Sequence, residues 1–295
     1  MKKLVQKIIS KVQFPISSKL EYMEGHVAQQ GLLTSGFSRA AATMQCRVID
    51  ESNPISWEFS AFSQSGEDGI TEYLISKLKN SNRYFIEIGA ANGIENNSAW
   101  LAHAKKFSGL MIDGNSYAIE IAKKFATPFI EAVHLFVNAD NINELKRLAV
   151  YKDPDFFSLD LDGNDYYMIK LLLESGFKPK VLAVEYNSAY GPIQSKTIQY
   201  DAGFNLVKAH PSCLYYGVSI TGWKTLLEKY GYHFITVDSN GVNAFFVDAS
   251  QFENSFINGI KGLSFVENAY QMRKFKLTWE QQFEIIKSMN FFEIQ

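Results

Sequence analysis

Cysteine is scarce. The 295-residue chain has two, Cys46 and Cys213, without the paired spacing of a zinc site or a disulfide framework. Both read as small hydrophobes, and a reducing, cytoplasmic compartment is the simpler expectation. Excess basic charge is also missing. With 29 Lys and Arg against 31 Asp and Glu the net charge is -2, so no nucleic-acid partner is expected, because tight phosphate binding needs a concentrated basic surface. No apolar run reaches the roughly 20 residues that span a bilayer. The first residues, MKKLVQKIISKVQF, set Leu4, Val5, Ile8, Ile9 and Val12 on one helical face and Lys3, Lys7 and Lys11 on another. Lys7 interrupts the run and no small-residue cleavage site follows, which argues against a secretory signal. The expectation is an amphipathic helix that packs on this domain or a partner, or makes a peripheral contact at the inner face of a membrane or with a glycan-assembly machinery.

A 46% apolar fraction can build one large core. Residues 1–60 read as a helical N-terminal extension, and from Phe62 a regular pattern begins. Short runs rich in Ile, Val, Leu and Phe (Tyr84–Gly89, Leu110–Asp113, Val133–Val137, Phe156–Leu161 and Val181–Tyr186) resemble buried parallel strands. Between them Ser98–Lys106, Tyr117–Phe125, Ile142–Ala149 and Tyr166–Ser175 supply crossover helices. His233–Val237 and Val242–Val247 are joined by Asp238-Ser239-Asn240-Gly241, a tight-turn sequence that predicts a closing antiparallel hairpin. The expected fold is α/β and Rossmann-like: a seven-stranded, mostly parallel sheet ending in that hairpin, over 61–249. Residues 187–232 form an insertion suited to an acceptor site. Residues 250–295 form a mainly helical, aromatic-rich extension that packs on the domain or makes a homo-oligomer contact.

The turn Glu87-Ile88-Gly89-Ala90-Ala91-Asn92-Gly93 follows the first strand, where ligands approach an open α/β sheet. Its spacing departs from G-x-G-x-x-G, because Ala91 and Ile94 stand where the second and third glycines would be. That weakens a pyrophosphate cofactor and a nicotinamide-dependent oxidoreductase or epimerase. Glu87 suits a cofactor with a cationic ammonium end. Asp113 closes the second strand where ribose hydroxyls would lie, and Asn138, Ala139 and Asp140 offer acceptors for an adenine amino group. Asp160-Leu161-Asp162-Gly163-Asn164-Asp165 ends the fourth strand. The alternative is that these are turn and cap residues, for which Asp and Asn are favoured.

The stretches Phe62–Asp68 (FSQSGED), Phe85–Asn97, Leu159–Gly163, Tyr215-Tyr216-Gly217 and Gly241–Val247 together resemble the FkbM-like branch of S-adenosylmethionine (SAM) methyltransferases, over roughly Phe62 to Val247. The resemblance implies the class I methyltransferase fold, with Glu87, Gly89, Ala90 and Gly93 at the methionine portion of SAM, Asp113 at its ribose, Asn138 to Asp140 at its adenine, and Asp160 close by. It also implies O-methylation of a saccharide, glycan or natural-product precursor. Ala91 is the departure, standing where many methyltransferases carry glycine. Methyl transfer to an alcohol needs alignment and a proton acceptor: His210, Asp162 and Asp160 are the candidates. Glu185, Asn187, Tyr190 and Tyr216 are candidate acceptor contacts. Asp160, Glu185 and Asn187 form a candidate Mg²⁺ or Mn²⁺ ligand set. A SAM-fold scaffold without catalysis is the non-enzymatic alternative.

Overall fold

The structure, a computed structural model, describes residues 27–295; the amphipathic segment expected at 3–12 lies outside them. The chain enters through a helix, α1, over 27–46. Ala40 of α1 is buried in a cluster with Phe59, Phe62, Ile94 and Trp100. Helix α2 (Glu67–Ser76) leads to the first strand.

Seven strands form the main sheet in the order β3-β2-β1-β4-β5-β8-β7. They are β1 (Tyr84–Ile88), β2 (Ser108–Asp113), β3 (Ile130–His134), β4 (Phe156–Leu159), β5 (Val181–Glu185), β7 (Tyr232–Val237) and β8 (Asn243–Asp248). The first five are parallel, and β8 runs antiparallel between β5 and β7. This is the doubly wound sheet with a closing hairpin that the class I methyltransferase layout requires. Helices α3 (Ser116–Phe125), α4 (Ile142–Leu148), α5 (Asp165–Glu174) and α7 (Ile220–Lys229) supply the crossovers. Strands β1, β4 and β8 are buried along their length, which is why apolar runs marked them. Helix α7 starts at Ser219, whose hydroxyl accepts the Gly222 N–H, and Gly231 follows it at φ +82°; both are ordinary capping.

Two elements differ from the expectation. Strand β3 sits three residues nearer the N-terminus than Val133–Val137, because it is an edge strand with Glu131 and His134 exposed and alternates in burial. Phe136 and Val137 therefore fall beyond its end. The expected helix Ser98–Lys106 is only a π-helical turn, Trp100–Ala104. The N–H groups of Asn97 and Ser98, which would otherwise open it, donate to the Glu87 carboxylate at 3.0 and 2.9 Å.

At the N-terminal strand ends, buried Asp155 accepts from the Asn82 and Arg83 N–H groups and pairs at 2.8 Å with buried Lys180. Lys180 also donates to the Asn80 carbonyl, so one ion pair ties together the approaches to β1, β4 and β5. The C-terminal segment, after α8 (Asn254–Gly259), carries α9 (Ala269–Phe275), α10 (Trp279–Ile286) and, beyond the helices expected, a strand β9 (Phe291–Glu293). Strand β9 pairs antiparallel with β6 (Lys196–Ile198) in the insertion. Tyr190, Ile198, Leu214 and Tyr215 of the insertion share one core with Ile286, Phe283 and Phe291.

Candidate active site

A cavity of about 600 Å³ opens at the C-terminal ends of β1 to β4, the switch point of the sheet and the usual place for a ligand. Gly89, Asp113, Gly114 and Asn115 line one side, Phe136 and Val137 a second, Asp160, Leu161, Asp162 and Asn164 the floor. Phe204 to Val207 cover it from the insertion. Gly89 is at φ +85°, and a Cβ there would lie 1.9 Å from the Asp160 carbonyl oxygen. Only glycine allows β1 and β4 to come together there. Gly93, at φ +71°, turns the chain beside Ala122 and Met111. Ala91 takes φ +46°, a left-handed conformation where glycine carries no strain.

The turn's hydrogen bonds decide what it can hold. The Gly89 and Ala90 N–H groups both donate to the Ile112 carbonyl, at 2.8 and 3.0 Å. The Ala91 N–H donates to Asp113 Oδ2 at 2.8 Å, and Asp113 Oδ1 accepts from Asn115 N–H at 2.7 Å. Few turn amides are left to cradle a phosphate.

Acid gathers on the floor. Asp160, Asp162 and Glu185 present carboxylate oxygens that all lie within 4.8 Å of one another. Asp160 and Asp162 are open to the cavity, yet protein surrounds them. Desolvation, then the charges of Asp162 and Asp165, push Asp160 up to about 8. Desolvation and the same acids raise Glu185 well above the usual carboxylate range, and desolvation raises Asp162. Asp162 is held at φ +57°, a strained conformation of the kind that clusters at functional sites. Beneath them Asp165 accepts the Leu161 and Gly163 N–H groups at 2.8 and 2.9 Å, anchoring the loop; desolvation puts it at about 6. With protons retained on some of these acids, the cluster titrates as a unit, and an arriving cation would displace them.

The other expected residues lie elsewhere. Glu87 is buried with both oxygens taken by the Asn97 and Ser98 amides; it shapes the loop after β1 and has no free lone pair turned to the cavity. Desolvation raises it to about 7. Asn138 accepts from the Asp140 and Asn141 N–H groups, forming a turn. Asn138, Ala139 and exposed Asp140 do not line the cavity; Phe136 and Val137 do. His210 Nδ1 bonds Ser212 in its own turn, 2.8 Å away, and His210 is not among the lining residues. Asn187 is fully buried: its Nδ2 donates to the Leu214 and Tyr216 carbonyls, and its Oδ1 accepts the Ala189 N–H. It locks the insertion, and Asp162 takes its place beside Asp160 and Glu185. Tyr190 is fully buried, its hydroxyl donating to the Tyr216 carbonyl at 2.7 Å, and offers no face to an acceptor ring. Tyr216 is also buried, against Glu185. In FSQSGED, Asp68 Oδ2 accepts three amides, from Ala61, Phe62 and Ser63. Glu67 accepts from Asn243 in the closing hairpin at 2.9 Å, so two of the stretches that carry the family resemblance touch.

No family model matches the chain, and no curated protein matches it. Among solved structures the chain is similar to an O-methyltransferase from Bacillus cereus in complex with S-adenosylhomocysteine (SAH). The two share 14% identity over 73% of this chain and 89% of that one, with a TM-score of 0.41. It is similar to cofactor-bound Rv0187 from MTB at 14% identity, 74% and 89% coverage and a TM-score of 0.42. It is also similar to the O-methyltransferase TomG from Streptomyces achromogenes, at 16%, 71%, 93% and 0.41. Likeness at this level carries no residue role across; the strand order and the cavity stand on this chain's own geometry. No helix among the described residues is long and apolar enough to cross a membrane.

Proposed function

We propose that the chain is a SAM-dependent methyltransferase acting on a hydroxyl group. The observation that carries this reading is the pairing of an acid-floored cavity with a glycine turn whose amides are already bonded. Such a site favours a cofactor with sulfonium and ammonium charges and disfavours a pyrophosphate. A nicotinamide-dependent oxidoreductase or epimerase is therefore the weaker reading. Asp113 at the end of β2 suits the ribose, and Phe136 and Val137 suit the adenine. The FkbM-like resemblance agrees, and it makes saccharides and glycan precursors the first acceptors to screen.

In the reaction the acceptor oxygen attacks the methyl carbon in line with the carbon–sulfur bond. That bond breaks, its electron pair goes to sulfur, and neutral SAH remains. The acceptor proton passes to a carboxylate. Asp162, open to the cavity and held in a strained turn, is the proposed acceptor of that proton, with Asp160 beside it. A second reading rests on the carboxylate triad itself: Asp160, Asp162 and Glu185 are a donor set that suits Mg²⁺ or Mn²⁺, and a divalent ion there would lower the pKa of a bound hydroxyl.

Calorimetry with SAM and SAH, with and without Mn²⁺, followed by a methyl-transfer screen of activated sugars and glycans, tests the proposal. One-to-one SAH binding and methylation of a hydroxyl support it. Absence of SAH binding at millimolar concentration would overturn it. Turnover that requires Mn²⁺ selects the metal reading, and turnover in chelator selects the carboxylate base.

A further inference from the structure

The C-terminal segment reaches the acid cluster through α9. Asn268 caps the helix, accepting the Tyr270 and Gln271 N–H groups, while its own N–H donates to Ser188 Oγ at 2.9 Å in the turn after β5. Tyr270 donates to the Gln64 carbonyl. The first turn of α9 is thus pinned on two sides, and Gln271 is fixed in it.

Ser188 Oγ accepts from Asn268, so its hydrogen is free to face Gln271 Oε1 at 3.5 Å. This sets the amide with Nε2 toward the Tyr216 hydroxyl, to which it donates at 2.9 Å. The Tyr216 backbone is held as well, because the Asn187 side chain and the Tyr190 hydroxyl both donate to its carbonyl. A phenol oxygen that accepts from Gln271 still has its single proton to give. The Glu185 carboxyl is the group it meets.

We propose that Gln271 is a positioning residue for the active site: by donating to Tyr216 it commits the phenolic proton to Glu185 and holds that carboxyl against Asp160 and Asp162. The C-terminal segment thereby completes the catalytic end of the cavity. The proposal rests on the reading of the acid cluster as the site of methyl transfer.

The test is a double-mutant cycle on urea unfolding, with Gln271→Met, Glu185→Met and the pair, built once with Tyr216 and once with Tyr216→Phe. With Tyr216 present, the effects on the unfolding equilibrium constant should depart from multiplying by roughly threefold or more, the scale of coupling in a shared network. In the Tyr216→Phe background the coupling should vanish. Multiplicative effects with Tyr216 present, or coupling that persists with phenylalanine, would overturn the proposal, since simple packing does not depend on the hydroxyl. Should Tyr216→Phe fail to fold, Gln271→Glu replaces it: an acceptor at 271 captures the phenolic proton and must couple to Glu185→Met to a similar degree, and multiplicative effects there are equally contradictory. SAH affinity of Gln271→Met should match wild type within about twofold, because Gln271 touches no cofactor-lining residue. A wild-type protein that binds no SAH would sink the functional reading and leave this hydrogen-bonded chain standing.

Discussion

Replacing Gly89 with alanine places one methyl group at the junction on which both fold and cavity depend. The residue sits at φ +85°, and the added Cβ would lie 1.9 Å from the Asp160 carbonyl oxygen. The left-handed conformation costs about 1–2 kcal/mol for a residue with a Cβ. Relieving a clash with backbone, which no rotamer change can do, adds roughly 1–3 kcal/mol. The expected destabilisation is about 2–5 kcal/mol. The relief must come from parting β1 and β4 where Asp160 N–H bonds the Ile88 carbonyl at 3.0 Å, so Asp160 and the cavity floor move too. Urea unfolding followed by circular dichroism reads the stability, and calorimetry reads a loss of SAH affinity of at least tenfold. Ala91→Gly is the internal control. It relieves about 1 kcal/mol or more of left-handed strain at φ +46°, against about 0.4–1 kcal/mol of added unfolded-state entropy, and should lie within about 1 kcal/mol of wild type. A Gly89→Ala protein with an unchanged midpoint and unchanged SAH binding would refute the reasoning.

Lys180→Met should destabilise by about 3–5 kcal/mol, because Asp155 is left as a buried charge without its counter-ion; a loss under 1 kcal/mol in the same urea assay would count against the lock assigned to that pair. Asp160 and Glu67, both at about 8, and Glu87, at about 7, hold protons in the folded state that the unfolded chain has already lost. Stability then falls as pH rises from about 4 through 8: the ligand-free protein should melt lower at pH 8.5 than at pH 6, and Asp160→Asn should flatten the slope, whereas a rising profile contradicts the acid cluster. In methyl-transfer assays Asp162→Asn should lower kcat by about 10²- to 10⁴-fold, the usual contribution of a general base. His210→Ala, which loses only a bond within its own turn, should change kcat less than about fivefold; the reverse order would return the proton to His210.

The sheet was legible because its central strands are buried on both faces and read as unbroken apolar runs. The hairpin was legible because Asn240-Gly241 is a turn signal, reinforced by Asp238, whose carboxylate accepts from Asn240, Val242 and Asn243. What sequence concealed lies in contacts between distant residues. Strand β9 pairs with β6 across about a hundred positions, and neither three-residue strand carries a pattern of its own. Glu87 is an acid at the position a cofactor amine would use, and only the folded loop shows its oxygens already committed to Asn97 and Ser98. Asn187 likewise has the residue type and place of a metal ligand, yet it is consumed by the insertion it holds. Phe136 and Val137 read as strand interior; the exposed alternation of Ile130–His134 was the overlooked signal that the strand ended sooner and freed them for the cavity wall.

The central claim is that the cavity at the ends of β1 to β4 holds SAM, and calorimetric titration of the full chain and Asp113→Ala with SAH tests it most directly. One site per chain is expected, with affinity falling at least tenfold in Asp113→Ala, since that carboxylate both meets the ribose and holds the Ala91 amide. No heat of binding at millimolar SAH, or equal affinity in the two proteins, would contradict it.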